Sequence, residues 1–357
     1  MIGKVDDNLT PQETESQQWE NEVEKVFSNV EYLQGPEARK QRDNFSQNDS
    51  KLKERTRNAE VLFRYLKRYT GKEVAIREVS KGIFEISFEN SPNQIPELPE
   101  GYGYKGGAAR AHLESTLGIK QSSVRDLDIV FLGKTENKEV TDMLAREYMP
   151  EDYENGYGVE SLDSDYFDTR DFTINEVYVG DRHNIIATQQ CILDTIRRIL
   201  RVTEFEKKDR IYDEGDYWVN PKILAKALRL LAQETSRGQV MEFADRDAVG
   251  WIGIDSFHMA LHLDRAMGQS QDTAYNYIQE LIDNGQLPSD INTPELAADY
   301  LKADLYDFVF KAPRFKGVDS GLTGEDELIY WEEEFGELVD LPTFQSFSKS
   351  PQNKLQK

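Results

Sequence analysis

The sequence predicts a mixed-sheet α/β half followed by an all-helical half. Two patterns carry that expectation. Strand-like runs are confined to the first half, at Glu73–Val79, Gly82–Phe88, Asp126–Leu132 and Phe172–Val179. After Ile185 the apolar residues recur at helical intervals instead, as at Ile192, Leu193, Ile196, Ile199 and Leu200.

Taken in order, residues 1–50 are rich in Gln, Asn, Glu, Asp and Ser, and read as a polar, disordered arm. Residues 51–70 read as a helix, with Val61, Leu62, Tyr65, Leu66 and Tyr69 on its apolar face. Between Lys51 and Lys72 there are eight bases and two acids, the most basic stretch of the chain. Its ordinary reading is a solvated helix face; its sharper one is a contact surface for a polyanion. Gly82–Phe88 alternates cleanly, with Phe84, Ile86 and Phe88 opposite Glu85, Ser87 and Glu89. Three prolines mark Ser91–Gly101 as a loop. Residues 133–168 read as a polar insertion that loops out of the domain or folds over its site; from Thr135 to Asp168 it holds eleven acids and two bases.

In the second half, Asn220-Pro221 predicts a helix start, with Asn as N-cap and Pro at the first helical position. Further helices are expected at Asp255–Met267, Asp272–Asn284 and Pro294–Phe310. Arg197, Arg198 and Arg201 are expected on one helix. Asp319–Asp340 has nine acids and no base, and a polar tail follows. The expected organisation is an arm over 1–50, an α/β domain over 51–185 with its insertion at 133–168, a helical domain over 186–312, and an acidic and polar tail over 313–357.

Composition narrows the function classes. The net charge of −23 weighs against loose attraction to nucleic acid, though a local basic groove is compatible with it. No apolar run approaches the roughly 18–20 residues of a membrane span, so no membrane partner is expected. No secretory signal is visible at the N-terminus, and the single cysteine, Cys191, fits a reducing cytoplasm and reads as a small buried hydrophobe. His258 and His262 stand four apart on an expected helix, but Met259 follows the first, which breaks the zinc-protease pattern.

Three features carry chemistry. Gly106-Gly107 precedes Ala108-Ala109-Arg110 and a helical run to Leu117. Two glycines let the backbone turn and approach a ligand closely, and the free N–H groups of a helix start favour phosphate. Next comes Asp126-Leu127-Asp128 at the head of an apolar run. On a strand, residues i and i+2 share a face, so two carboxylates would sit side by side, an arrangement that a cation between them stabilises. Last comes Arg170-Asp171-Phe172-Thr173-Ile174-Asn175. Asp171 suits the carboxylate cluster or a ribose hydroxyl, and Arg170 suits phosphate.

In this order the three motifs resemble the head domain of class II CCA-adding enzymes and bacterial poly(A) polymerases. Gly107 to Asp126 is 19 residues and Asp128 to Asp171 is 43, separations that suit the family. The resemblance covers about residues 100–180 well and continues more faintly through Asn220–Ala232, which resembles the neck helix. It implies a mixed β-sheet nucleotidyltransferase head followed by an all-α neck and body. It implies that Asp126 and Asp128 are catalytic and hold Mg²⁺ or Mn²⁺. Gly106 and Gly107 would cradle phosphates, with Arg110, Arg170, Asp171 and Asn220 also binding the nucleotide. The implied substrates are a nucleoside triphosphate, ATP or CTP, and an RNA 3′ end of tRNA type.

The chain departs from the family pattern at several positions. Ala111 stands where the family usually has Asp, and Thr169 where it has a first arginine. Val219, Asn220 and Ile223 replace the acidic and basic residues that open the neck helix. These departures bear on base choice more than on transfer chemistry. Two other readings stay open: transfer to a protein or small-molecule acceptor, and a catalytically retired head used for binding or assembly.

Overall fold

The computed structural model describes residues 49–89, 95–119, 127–133, 136–150, 153, 158–180, 183–209, 217–248 and 251–306. The fold is α/β, and its contacts divide into two compact units between Arg197 and Arg198. The expected arm over 1–50 lies almost wholly, and the tail over 313–357 entirely, outside the described residues.

Among the described residues, the first unit begins with α1 (Asp49–Thr70) and the hairpin β1 (Val74–Ser80) and β2 (Ile83–Phe88). Gly82, at φ +72°, supplies the left-handed turn between these two strands. There follow β3 (Tyr102–Tyr104), α2 (Gly106–Thr116), β4 (Ile129–Phe131), α3 (Lys138–Tyr148) and β5 (Glu160–Ser161). Two 3₁₀ turns, Tyr166–Asp168 and Thr173–Asn175, lead to β6 (Val177–Val179), β7 (Ile185–Thr188) and α4 (Gln189–Arg197). The seven strands make one mixed sheet in the order β1-β2-β7-β6-β3-β4-β5. Every pairing is antiparallel except β4 with β5.

The alternation of β2 has the expected consequence. Phe84, Ile86 and Phe88 are buried in a core shared with Leu62 and Leu66 of α1, Leu113 of α2 and Ile192 of α4. Cys191 is buried there too.

Three expectations change. The insertion over 133–168 contains the amphipathic helix α3, which buries Thr141, Leu144 and Ala145. Tyr102 of β3 shares a 2.8 Å hydrogen bond with Thr141 Oγ1, so this helix is tied to the sheet, and β5 extends the same sheet. The run Phe172–Val179 is not one strand, because Thr173–Asn175 forms a 3₁₀ turn between an isolated bridge at Phe172 and the strand Val177–Val179. Asp171 Oδ1 accepts from Phe172 N at 2.9 Å and Asn175 Nδ2 at 2.7 Å, local bonds that compete with a strand ladder. Asp128 precedes β4 rather than lying in it, since β4 begins at Ile129.

The second unit contains β8 (Ile199–Leu200), β9 (Lys207–Asp209), β10 (Tyr217–Val219), α5 (Pro221–Ser236), β11 (Glu242–Phe243), α6 (Ser256–Gln269), α7 (Gln271–Asp283) and α8 (Pro294–Tyr306). The helices dominate, with α5 packed on α6 and α7, and α8 packed on α6. Two short strand pairs accompany them, β9 with β10 antiparallel and β8 with β11 parallel. The side chain of Asn220 accepts from Lys222 N at 3.0 Å, so Asn-Pro does start α5 as its residue types dictate. Buried Asp245 organises the strands: it accepts from Val202 N at 2.7 Å and Tyr217 Oη at 2.9 Å, and pairs with Lys207 Nζ at 3.0 Å. Arg197, Arg198 and Arg201 do not share a helix. Arg197 ends α4, and Arg198 takes φ +58° and pairs with Glu234. Among the described residues, no helix is long and apolar enough to cross a membrane.

Candidate functional site

The site of the first unit is built where β3 hands the chain to α2. Lys105 N donates to Asp128 O at 2.9 Å, which carries the β3–β4 ladder one bond beyond the strands. The next residue, Gly106, has φ +60° and begins the helix. A Cβ at position 106 would run into Asp128 Oδ2. The left-handed backbone favours glycine here, and a side chain would also make the Asp128 carboxylate shift. Gly107 differs, for a Cβ there would meet open space. The side chain of Lys105, the N-cap, does not cap α2, and the first turn of the helix carries no acid of its own. Lys105, the residue before the glycines, extends to Glu160 on β5, with Nζ 2.6 Å from Oε2.

Tyr166 joins the parts. Its hydroxyl donates to Val177 O at 2.9 Å. Arg170 lies over its ring, the guanidinium carbon 4.3 Å from the centroid, a cation–π contact. Arg170 also donates to Tyr166 O at 3.0 Å and to Thr169 Oγ1 at 3.2 Å. Burial pushes the Tyr166 hydroxyl up to about 12. The charge of Arg170 and the Gly106 N–H act against that rise, and the charge of Asp128 adds to it. Gly106, Asp128 and Arg170 thus converge on one phenol.

A second chain of bonds runs beside it. Arg110, one turn into α2, donates to Asn175 Oδ1 at 2.8 Å, and Asn175 Nδ2 donates to Asp171 Oδ1. Phe172 and Thr173 anchor the loop below, with Thr173 Oγ1 donating to buried Asp194 at 2.7 Å. Position 111 explains one departure from the expected pattern. Ala111 is buried on α2, where an acid would need a partner to be tolerated.

Of the residues singled out in the sequence, Gly106, Gly107, Arg110, Asp128, Arg170 and Asp171 belong to this region. Asn220 belongs to the other unit, where its side-chain oxygen serves as the cap of α5. Asp126 lies outside the described residues. Among the described residues, no group of three or more His, Cys, Asp and Glu side chains is arranged to hold a metal ion. The carboxylate that is described, Asp128, offers hard oxygen donors of the kind Mg²⁺ takes together with substrate phosphates.

Sequence reasoning missed Tyr166, Lys105 and Asn175 as contributors. Asn175 was legible as the last residue of the 170–175 motif. Lys105 pairs with Glu160, distant in the chain, and Tyr166, although Arg170 lies four residues on, belongs to no motif of its own.

No protein-family model matches the chain, and no curated protein matches it.

Proposed function

We propose that the first unit is a metal-dependent nucleotidyltransferase head that moves a nucleoside monophosphate from a triphosphate to an RNA 3′ end of tRNA type. The observation that carries this reading is the approach of Asp128 to Gly106 at the uncapped start of α2. A carboxylate beside a helix N-terminus pairs a metal-ligand oxygen with backbone N–H groups that favour phosphate.

In this reading the mixed sheet is the head, and the helical unit is the neck and body. Asp126 and Asp128 hold Mg²⁺ or Mn²⁺, which when bound supplies charge neutralisation at the phosphates. The backbone at Gly106 and Gly107 receives the triphosphate. Arg170, fixed on Tyr166, and Arg110, fixed on Asn175, balance phosphate charge. Asp171, bonded to Asn175 and the Phe172 N–H, would stand near the ribose. The RNA 3′ hydroxyl attacks the α-phosphorus in line. A new phosphorus–oxygen bond forms, the bond from the α-phosphorus to the bridging oxygen breaks, pyrophosphate leaves, and the hydroxyl proton passes to solvent. Asn220, Val219 and Ile223 stand in place of the charged residues that open the family's neck helix, so relaxed base choice is expected.

The test is incubation of the full chain with each α-labelled ribonucleoside triphosphate, Mg²⁺ and a pool of tRNA and short RNAs. RNA and protein are then separated on a denaturing gel. Label on RNA supports the reading, label on protein moves the acceptor to protein, and label on neither overturns transfer and favours a binding or assembly role.

A further inference from the structure

The first unit holds a pair of histidines that the site above does not use. His112 lies in the middle of α2 and is fully buried, and neither of its ring nitrogens makes a hydrogen bond among the described residues. The His183 backbone comes near enough to favour a proton on this ring, but short of a hydrogen bond. Buried polar atoms are nearly always paired, so a buried ring with both nitrogens open calls for a partner. The group beside it is a second imidazole. The ring of His183 has its centre 5.4 Å from that of His112, with the two planes 51° apart.

His183 stands in the turn between β6 and β7 and is held there. Its N–H donates to Gly180 O at 3.0 Å, Gly180 N donates to Asn184 O at 2.9 Å, and the Asn184 side chain donates to Glu85 Oε1 of β2 at 2.7 Å. Its backbone takes φ +57°, a left-handed value that histidine adopts more readily than most residues. Its Nε2 is 3.4 Å from Pro96 O, so a proton on Nε2 has an acceptor and the bare lone pair falls to Nδ1. Metal-ligating histidines are arranged in this way, with one ring nitrogen facing a carbonyl or carboxylate and the other on the metal.

The spacing of the rings suits a shared cation. A zinc ion bound through nitrogen sits about 3.2 Å from the centre of an imidazole, so two rings with centres 5.4 Å apart subtend about 115° at it, close to the tetrahedral angle. Burial first, and then the charge of His183, push His112 down to about 4, so at physiological pH its ring is neutral, the form a metal takes. Imidazole suits Zn²⁺, Cu²⁺ and Ni²⁺, whereas Mg²⁺ prefers oxygen. His183 is half-buried, so a cation between the rings meets solvent on that side and completes its shell with water.

We propose that His112 and His183 form a binding site for a transition-metal ion of the zinc type, which clasps α2 to the β6–β7 turn. This site is independent of the transfer reaction proposed above, because the two share no residue.

The test is titration of the full chain with Zn²⁺, followed by NMR of its four histidine rings and by thermal melts. The His183 signal is assigned by its loss in His183→Asn, since Asn also tolerates the left-handed backbone, and the His112 signal by its cross-peak to the His183 ring. The expected result is that both signals shift together and saturate at one equivalent of Zn²⁺, and that Zn²⁺ raises the melting temperature. In His183→Asn the Zn²⁺ affinity read from His112 should fall about a hundredfold, the upper end of what losing even a supporting partner of a metal ligand causes. If that variant does not fold, the wild-type titration decides alone. Zn²⁺ that is taken up only by carboxylates of this acidic chain leaves both rings unmoved and overturns the proposal. A shift of His183 alone, or an undiminished His112 response in His183→Asn, also overturns it and marks the pair as a packing contact.

Discussion

Asp128 lies against the Cα of Gly106, so that the carboxylate and the start of α2 occupy one place. The contact is fixed from both sides, by the bond from Lys105 N to Asp128 O and by the left-handed backbone of Gly106. The two neighbouring glycines therefore make opposite predictions. Gly106→Ala should destabilise the first unit by about 1–2 kcal/mol through the forced positive φ, with the Asp128 carboxylate displaced. Gly107→Ala should leave the melting temperature unchanged or slightly raised, since its site is open and Ala favours helix by about 1 kcal/mol. Under the proposed function Gly107→Ala should still weaken triphosphate binding, because a methyl group would stand where phosphate approaches. Thermal melts and equilibrium dialysis of the two variants separate fold from function.

Arg170 is held by a ring and two oxygens, and lysine cannot reproduce that set. Arg170→Lys should cost about 1 kcal/mol of stability. The larger expected effect is on triphosphate affinity, which should fall about tenfold because the lysine ammonium keeps the charge but not the guanidinium's fork of donors. Tyr166→Phe keeps the ring under Arg170 and should retain most of that affinity, measured by the same dialysis.

Asn175 links Arg110 to Asp171. Asn175→Ala should lower triphosphate affinity with a stability loss of about 1–3 kcal/mol, the range for buried groups left without partners. Equal affinity in this variant and the wild type would remove Arg110 and Asp171 from the nucleotide site.

The pH dependence of stability follows from His112. Its ring is buried on α2, 5.4 Å from the ring of His183. Burial first, and then the charge of His183, push His112 down to about 4. Between its ordinary value of about 6.5 and 4, the unfolded chain binds a proton that the folded chain refuses, so folding stability falls as pH falls. The loss begins below about pH 6.5 and amounts to about 3 kcal/mol by pH 4. Denaturant melts from pH 7 to pH 4, with His112→Gln as the comparison, should show a shallower decline in the variant.

Asn220 tests whether the helix start is structural. Asn220→Ala should destabilise the second unit by about 1 kcal/mol through loss of the cap on Lys222 N, and Asn220→Asp should restore it. Chemical denaturation of both variants measures this directly.

What was legible in the sequence is what short-range physics dictates. The alternation of Phe84, Ile86 and Phe88 gives β2, and Asn220-Pro221 gives the start of α5. Gly106-Gly107 before an apolar run gives the start of α2. Helix α3 was hidden because it lies inside an acid-rich segment, although Leu144, Ala145 and Tyr148 keep one apolar edge. The turn at Thr173–Asn175 reads as strand from its β-prone residues, but the hydrogen bonds of Asp171 decide otherwise. Tyr166 was invisible for a different reason. Its partners Gly106 and Asp128 are distant in the chain, and only the folded sheet brings them together.

The central claim is that Asp126 and Asp128 support transfer from a triphosphate to RNA. The most direct measurement compares wild type with Asp126→Asn/Asp128→Asn, each incubated with α-labelled triphosphate, Mg²⁺ and RNA. Wild type should put label on the RNA 3′ end, and the variant should lose about a hundred- to a thousandfold of that activity, the scale seen when a group that stabilises transition-state charge is removed. Equal labelling by both proteins, or none by wild type with any of the four triphosphates, would contradict it.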